Sequence, residues 1–405
     1  MRKNISDTCK EIIIPGLLGI VVGAAVALIE VVFGKGLSMV TGIRNARPML
    51  FLPFLALAGL VIVFCYQRWG KGSDKAMKLI FRTVFGENED IPVRIIPFAI
   101  VSTWISHLFG GSAGREGVAV QIGATLSYNI GKKIRIDNSK EIFIIAGIAA
   151  GFSGLFETPV TACCFALEMM TVGQFRYKAL LPAVTASAAA AWVSGLFGTE
   201  REAFGIDLGS GIAVSDYWKL ALLGIVFGIA GGLCAEGFHE AKNILGEKIK
   251  NPYVRVAAVS VVISLVMILF DKGRYSGSGA NLIELAVTGE DIRWYDFILK
   301  AVLTMLTLGV GFTGGEVMPL CTIGACLGAV LGPVLGIGQV FAAALGYAAV
   351  FAGGTNTLFA PVFIGCEIFG FGNAPLFAIV CVFAFLFNSN HSIYSEQRIA
   401  YKDRT

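Results

Sequence analysis

From Val317 to Cys366 the chain runs for about fifty residues without a single Asp, Glu, Lys or Arg. One helical crossing of a bilayer takes roughly twenty apolar residues, so this run alone is long enough for two. Ile12 to Ile29, Pro48 to Gln67, Ala179 to Thr199 and Leu220 to Ala235 are also free of formal charge. Charged residues make up 15% of the chain and hydrophobic ones 56%, whereas a soluble domain carries nearer a quarter charged. The expected fold is an all-α polytopic membrane protein.

The first apolar stretch is too long for a signal peptide and lacks a small-residue cleavage site, so it reads as a retained helix. Basic residues gather at both ends, as Arg2, Lys3 and Lys10 and as Arg398, Lys402 and Arg404. By the positive-inside tendency both termini are expected in the cytoplasm. The net charge of +4 therefore reports topology, and no nucleic-acid partner is expected. Eleven residues follow Tyr394, so no cytoplasmic regulatory domain is expected. The nine cysteines contain no CxxC pair and lie mostly inside apolar runs, as buried small hydrophobes. His107, His239 and His391 show no ligand spacing, and neither metal nor cofactor is expected.

A lone acid stands out in Gly114-Arg115-Glu116-Gly117, directly after the uncharged span Ile95 to Gly114. An ionisable group at membrane depth costs several kcal/mol and marks a functional site by default. Roughly two hundred positions later, Gly314-Gly315-Glu316-Val317-Met318-Pro319 opens another apolar segment with an acid. Each segment goes on to an Ile-Gly-Ala, at Ile122-Gly123-Ala124 and at Ile323-Gly324-Ala325. Two acids at matching places in two halves point to an ion transporter.

Further matches share nearly the same offset. Ala150-Gly151 and Pro159-Val160 correspond to Ala352-Gly353 and Pro361-Val362, and Met77-Lys78-Leu79-Ile80 corresponds to Ala280-Asn281-Leu282-Ile283. The chain thus reads as two membrane repeats, 1–200 and 201–405, with the boundary in the more polar stretch Phe197 to Asp216. Such repeats often have inverted topology, with the ion site at their interface. Segments as short as Thr158 to Leu167 cannot cross alone and are expected to be broken or re-entrant helices. Most of the fifty glycines fit close helix packing. Those flanking Glu116 and Glu316 leave backbone N–H groups open to an anion at a helix N-terminus.

The Gly-Arg-Glu-Gly motif, paired with Gly-Gly-x-x-x-Pro one repeat later, resembles the CLC family of anion channels and anion/proton antiporters over essentially the whole chain. The resemblance implies that Glu116 is a gate whose carboxylate competes with the permeating anion and takes up the proton. The physics agrees, because burial favours the neutral acid while N–H donors favour the carboxylate. It further implies an anion site built from Met77, Gly114, Arg115, Gly117, Val317, Met318 and Tyr394.

Departures from the chloride-transporting members narrow the reading. Those members look like Gly-Ser-Gly-Ile-Pro at the first anion-binding turn, whereas this chain has Ala76-Met77-Lys78-Leu79-Ile80, and a thioether donates no hydrogen bond. Where the antiporters resemble one another in a Glu-Glu pair, this chain has Glu168-Met169, so the internal proton acceptor is missing. Glu316 fills a slot that is mostly apolar in chloride members. Met77 and Glu316 together are similar to the fluoride-exporting branch, although Met318 stands where that branch commonly has Thr. The capping alternative for Glu316 is a helix-terminal acid satisfying free N–H groups. Tyr394 sits where the family places a tyrosine facing the anion from the inside.

The resemblance implies a homodimeric fluoride/proton antiporter of a bacterial cytoplasmic membrane, with one pathway per subunit. The alternative within the fold is a chloride/proton antiporter or chloride channel. A lipid-active membrane enzyme would need a catalytic constellation, and no HxxxD, metal spacing or activated Ser is found. A cation transporter would want its acids without anion-attracting glycine turns. Glu236 and His239, with Lys242 nearby, read as a polar face at a membrane exit.

Overall fold

The computed structural model describes residues 9–87, 89–199, 203–204 and 212–400. Among these are sixteen helices of nine residues or more. Eight precede residue 200: α1 (Ile14–Ala46), α2 (Leu55–Cys65), α3 (Ala76–Val84), α4 (Ile95–Leu108), α5 (Glu116–Gly131), α6 (Ser139–Phe156), α7 (Pro159–Glu168) and α8 (Leu180–Leu196). Eight follow residue 212: α9 (Tyr217–Lys248), α10 (Pro252–Leu269), α11 (Ala280–Thr288), α12 (Asp296–Gly309), α13 (Val317–Leu335), α14 (Gln339–Thr355), α15 (Phe359–Phe369) and α16 (Ala374–Leu386). Each set opens on a helix of more than thirty residues, and its third and seventh helices are short. Half of the polar stretch Phe197 to Asp216 lies outside the described residues, and so do Arg2, Lys3, Lys402 and Arg404.

Among the described residues, seven helical stretches are long and apolar enough to cross a membrane. In lipid every backbone N–H and C=O must be satisfied within the segment, which a helix does by itself. The 33 residues of α1 span about 50 Å at 1.5 Å per residue, well beyond a hydrocarbon core of about 30 Å, so this helix must tilt or emerge. Leu17, Val21, Leu28 and Val32 form one exposed apolar stripe along it, spaced for a single lipid-facing side. By contrast α7 has 10 residues, about 15 Å, and cannot cross alone. That matches the expectation of broken helices.

Local chemistry sets the helix ends. Proline opens α7 and α10, where its missing N–H costs nothing. The Asn251 side chain accepts the Tyr253 N–H at 2.9 Å to cap α10. At their far ends α6 and α14 stop alike, at Glu157 and Asn356, both left-handed with φ of 54°. Within each half the central pair, α5 with α6 and α13 with α14, packs at glycine. A Cβ on Gly123 would collide with the Gly147 carbonyl, and one on Gly324 with the Gly346 carbonyl. These glycines serve close approach, as most were expected to.

Two short helices from opposite halves cap each other. Glu168, at the end of α7, accepts the N–H groups of Leu358, Phe359 and Ala360 at 3.2, 3.1 and 2.7 Å, at the start of α15. Glu367, near the end of α15, accepts the N–H groups of Val160 and Thr161 at 3.2 and 2.8 Å, at the start of α7. Each carboxylate meets the positive end of the other helix, so the two helices run in opposite directions. Beyond α7, Thr171 and Val172 pair in parallel with Arg398 and Ile399, which ties the C-terminal segment to this end of the fold.

Candidate functional site

The two glycine-rich turns that precede Glu116 and Glu316 meet. Gly114 N–H donates to the Gly315 carbonyl at 2.7 Å, and Gly315 N–H returns to the Gly114 carbonyl at 2.9 Å, a two-bond bridge between the halves. The approach requires bare backbone. A Cβ on Gly315 would lie 2.7 Å from the Gly117 nitrogen and 2.8 Å from Glu116 Oε2. Both acids therefore stand on either side of one junction, at the first turns of α5 and α13.

Each acid reaches across to the other half. Glu116, 1% exposed, accepts the Met318 N–H on Oε2 at 3.1 Å, at the start of α13. The same oxygen takes the Arg115 N–H at 3.1 Å. Its other oxygen, Oε1, is buried without a hydrogen-bond partner. Glu316 Oε2 in turn lies 3.7 Å from where a Cβ would sit on Gly117, over the first turn of α5. Glu316 is half-buried and makes no side-chain cap bond to its own helix. The capping reading of Glu316 thus lacks its hydrogen bond, and the N–H it would have served goes to Glu116.

The other expected residues fall around this junction to different degrees. Gly114, Gly117, Val317 and Met318 are buried in it. The Arg115 guanidinium carbon lies 4.9 Å from the centre of the Phe156 ring. Tyr394 packs against Phe81 and Phe165, with ring centres 5.6 and 6.2 Å away. Met77 is half-buried at the start of α3, against the central core and one turn before Phe81.

Sequence reasoning missed several participants. Tyr347, fully buried on α14, brings its hydroxyl to 3.6 Å from the Met318 sulfur. Lys300 is buried on α12 and donates to Ser112 Oγ at 3.0 Å and to the carbonyls of Tyr275 and Gly277 at 3.2 and 2.6 Å. Ser112 Oγ also shares a 2.9 Å bond with Thr304 Oγ1, and the Ser112 N–H donates to Thr307 Oγ1 at 3.2 Å. This hub holds the turn that delivers Glu116. A signal existed: Lys300, Thr304 and Thr307 lie at helical spacing on one face of an otherwise apolar segment.

The voltage-gated chloride channel family model matches residues 58–389, most of the chain. This protein belongs to the CLC family. Over 95% of its length and 98% of the other chain it superposes on the crystal structure of a CLC-type fluoride/proton antiporter, at 42% identity and a TM-score of 0.93. A chloride/fluoride channel protein of Pseudomonas syringae pv. tomato is 33% identical over 399 residues, covering 97% of this chain and 87% of the relative. The H(+)/Cl(-) exchange transporter of Salmonella paratyphi B is 26% identical, covering 78% and 71% respectively. As a CLC protein the chain is a multi-pass membrane protein of a channel and transporter family, and the junction of its glycine turns lies where that family's motif was recognised.

Proposed function

We propose that this CLC protein is a secondary active transporter, not an enzyme, that expels fluoride in exchange for protons. The observation that carries the reading is the Glu116 carboxylate seated on the Met318 N–H, as an anion would be at a helix N-terminus. An ionised Glu116 and a permeating anion compete for that donor. A proton on Glu116 removes the competing charge and releases the N–H to the anion. Binding of the anion and binding of the proton are then linked at one group, which is the minimum an antiporter needs.

Fluoride is favoured over chloride by two positions and by the comparisons. Met77 and Glu316 depart from the chloride pattern, and the relative at 42% identity is a fluoride/proton antiporter while a chloride exchanger stands at 26%. Met77, Gly114, Arg115, Gly117, Val317, Met318 and Tyr394 form the anion path in this reading, with Glu116 as gate and Glu316 as the second acid. Residues 1–200 and 201–405 are its two inverted repeats. The protein acts as a homodimer in a bacterial cytoplasmic membrane, its termini in the cytoplasm and one pathway in each subunit.

The test is flux from liposomes holding the pure protein and loaded with fluoride or chloride. Fluoride efflux is expected to drive proton uptake and to exceed chloride efflux strongly. Equal rates for the two ions would overturn the fluoride reading, and fluoride efflux without protons would overturn antiport.

A further inference from the structure

We propose that protons leave the transport site towards the cytoplasm, and re-enter it, through a polar pocket between α9 and the C-terminal segment, with Glu236, His239, Glu240 and His391 as its proton-exchanging groups. This rests on the fluoride/proton reading above and names the path that reading lacks. The family's internal proton acceptor corresponds to Met169, which is fully buried and whose thioether holds no proton. Another group must do that work.

The pocket has a volume of about 290 Å³ and is walled by Glu236, His239, Glu240, His391, Gln397 and Tyr394 among others. It adjoins the position where the acid is missing, because Gln397 donates its side-chain N–H to the Met169 carbonyl at 2.9 Å. His391 Nδ1 lies 3.7 Å from Glu236 Oε2. His239 Nε2 lies 2.8 Å from the Ser392 carbonyl. A carbonyl only accepts, so that nitrogen carries hydrogen and Nδ1 is the atom that gains or loses a proton.

The pocket leads inward. Glu236, His239 and Lys242 follow one another at three-residue spacing along α9, which keeps them on one side of the helix. The Lys242 backbone packs at the end of α12, 3.4 Å from where a Cβ would sit on Gly309. Gly309 ends α12, seven residues before Glu316. Tyr394 lines the pocket and packs inward against Phe81 and Phe165 of the central core. Of the two acids, Glu116 is buried and Glu316 half-buried, and Glu316 stands first on the proposed path from the pocket.

The surroundings leave these groups to act on one another. The helices α14 and α16, packed along α9, carry no charged residue. On the C-terminal segment Glu396 turns towards Lys78 and Arg82, and Arg398 lies over Phe85. On α12, Lys300 and Asp296 are bonded to Ser112 and Arg274. In export, a proton passes from the Glu316 carboxyl to a Glu236 or Glu240 carboxylate or to a histidine, and from there to water. Only O–H and N–H bonds form and break.

The experiment compares wild-type protein in liposomes with His239→Gln, His391→Gln and the double variant Glu236→Gln/Glu240→Gln, following fluoride and proton movement together across a range of pH. Fluoride binding to each purified protein is measured by calorimetry. Loss of the exchanging groups is expected to slow both fluxes about tenfold, to flatten their pH dependence and to leave fluoride binding unchanged. High imidazole buffer on the pocket side should restore the rate. Wild-type rates and pH profile in every variant would overturn the port, as would lost fluoride binding, which would make the pocket an anion vestibule. A wild type that moves fluoride without protons would instead bring down the antiport reading itself. His391→Gln and Glu240→Gln alone alter exposed side chains and keep the test readable if a multiple variant folds poorly.

Discussion

Glu116 Oε2 accepts the backbone N–H of Met318 at 3.1 Å, so an acid carried by one half of the chain occupies the first turn of a helix in the other. The contact is possible because Gly114 and Gly315 bond to each other just before the two acids. Side chains there would hold the turns apart. If Glu116 is the gate proposed above, opening it means that the carboxylate releases one N–H across the junction, while the two-bond bridge can stay in place.

Glu116→Gln is expected to abolish fluoride-driven proton movement. The amide oxygen still accepts the Met318 N–H, so the fold and the junction persist, but the group no longer titrates. Parallel measurement of proton uptake and of thermal unfolding in detergent checks both halves of the statement. Intact coupling in the variant would remove Glu116 from the proton path.

Glu316→Ala separates a site residue from a cap. With no side-chain bond to its own helix, the acid contributes little to folding, and the change is expected to shift stability by about 0.5 kcal/mol or less. Transport should fall sharply or lose its preference for fluoride. Normal fluxes together with a melting temperature lowered by a lost cap, worth about 1 kcal/mol, would restore the capping reading.

Much of this was legible because membrane sequences expose their exceptions. The apolar runs announced the long helices, and the two acids stood out since each followed an uncharged span. The reciprocal caps were not legible: Glu168 was read only against a missing partner acid, and Glu367, which ends the longest uncharged run, drew no notice. Their roles depend on two short helices from opposite halves meeting end to end, and spacing along one helix carries no trace of that. Tyr347 was hidden in the same way, since its approach to Met318 joins α13 to α14.

Glu168→Ala leaves three backbone N–H groups at the start of α15 without an acceptor, and is expected to cost about 3 kcal/mol of stability. Glu168→Gln keeps an acceptor and should lose less. Both variants should retain coupled transport in whatever fraction folds. If Glu168→Gln folded normally and lost proton coupling, Glu168 would be a relay as well as a cap.

Lys300→Met tests the hub that holds the turn before Glu116. It removes donors from one hydroxyl and two carbonyls, all buried, and is expected to cost about 3 kcal/mol. Ser112→Ala removes one hydroxyl with its two bonds, to Lys300 and Thr304, but leaves Lys300 its two carbonyls, and should cost less, about 2 kcal/mol. Thermal unfolding of the two variants gives the comparison. Similar small effects would mean that the backbone pairing of Ala113 with Gly277 at 3.1 Å holds the turn unaided.

Met77→Ser bears on the ion itself. Fluoride holds its water more tightly than chloride, so a site that prefers it must replace that shell closely with N–H donors. In the proposed anion path, a serine at the start of α3 would add a hydroxyl donor that the thioether of Met77 lacks. Specificity is a difference between two affinities, and withholding a donor can penalise chloride more than fluoride when backbone N–H groups still serve the smaller ion. The half-buried setting of Met77, one turn from Phe81, leaves room for the smaller side chain, so the fold should survive. Efflux from liposomes loaded with each ion is expected to show chloride flux rising in Met77→Ser relative to the wild type. Unchanged chloride flux would place selectivity at the Glu116 and Glu316 junction instead.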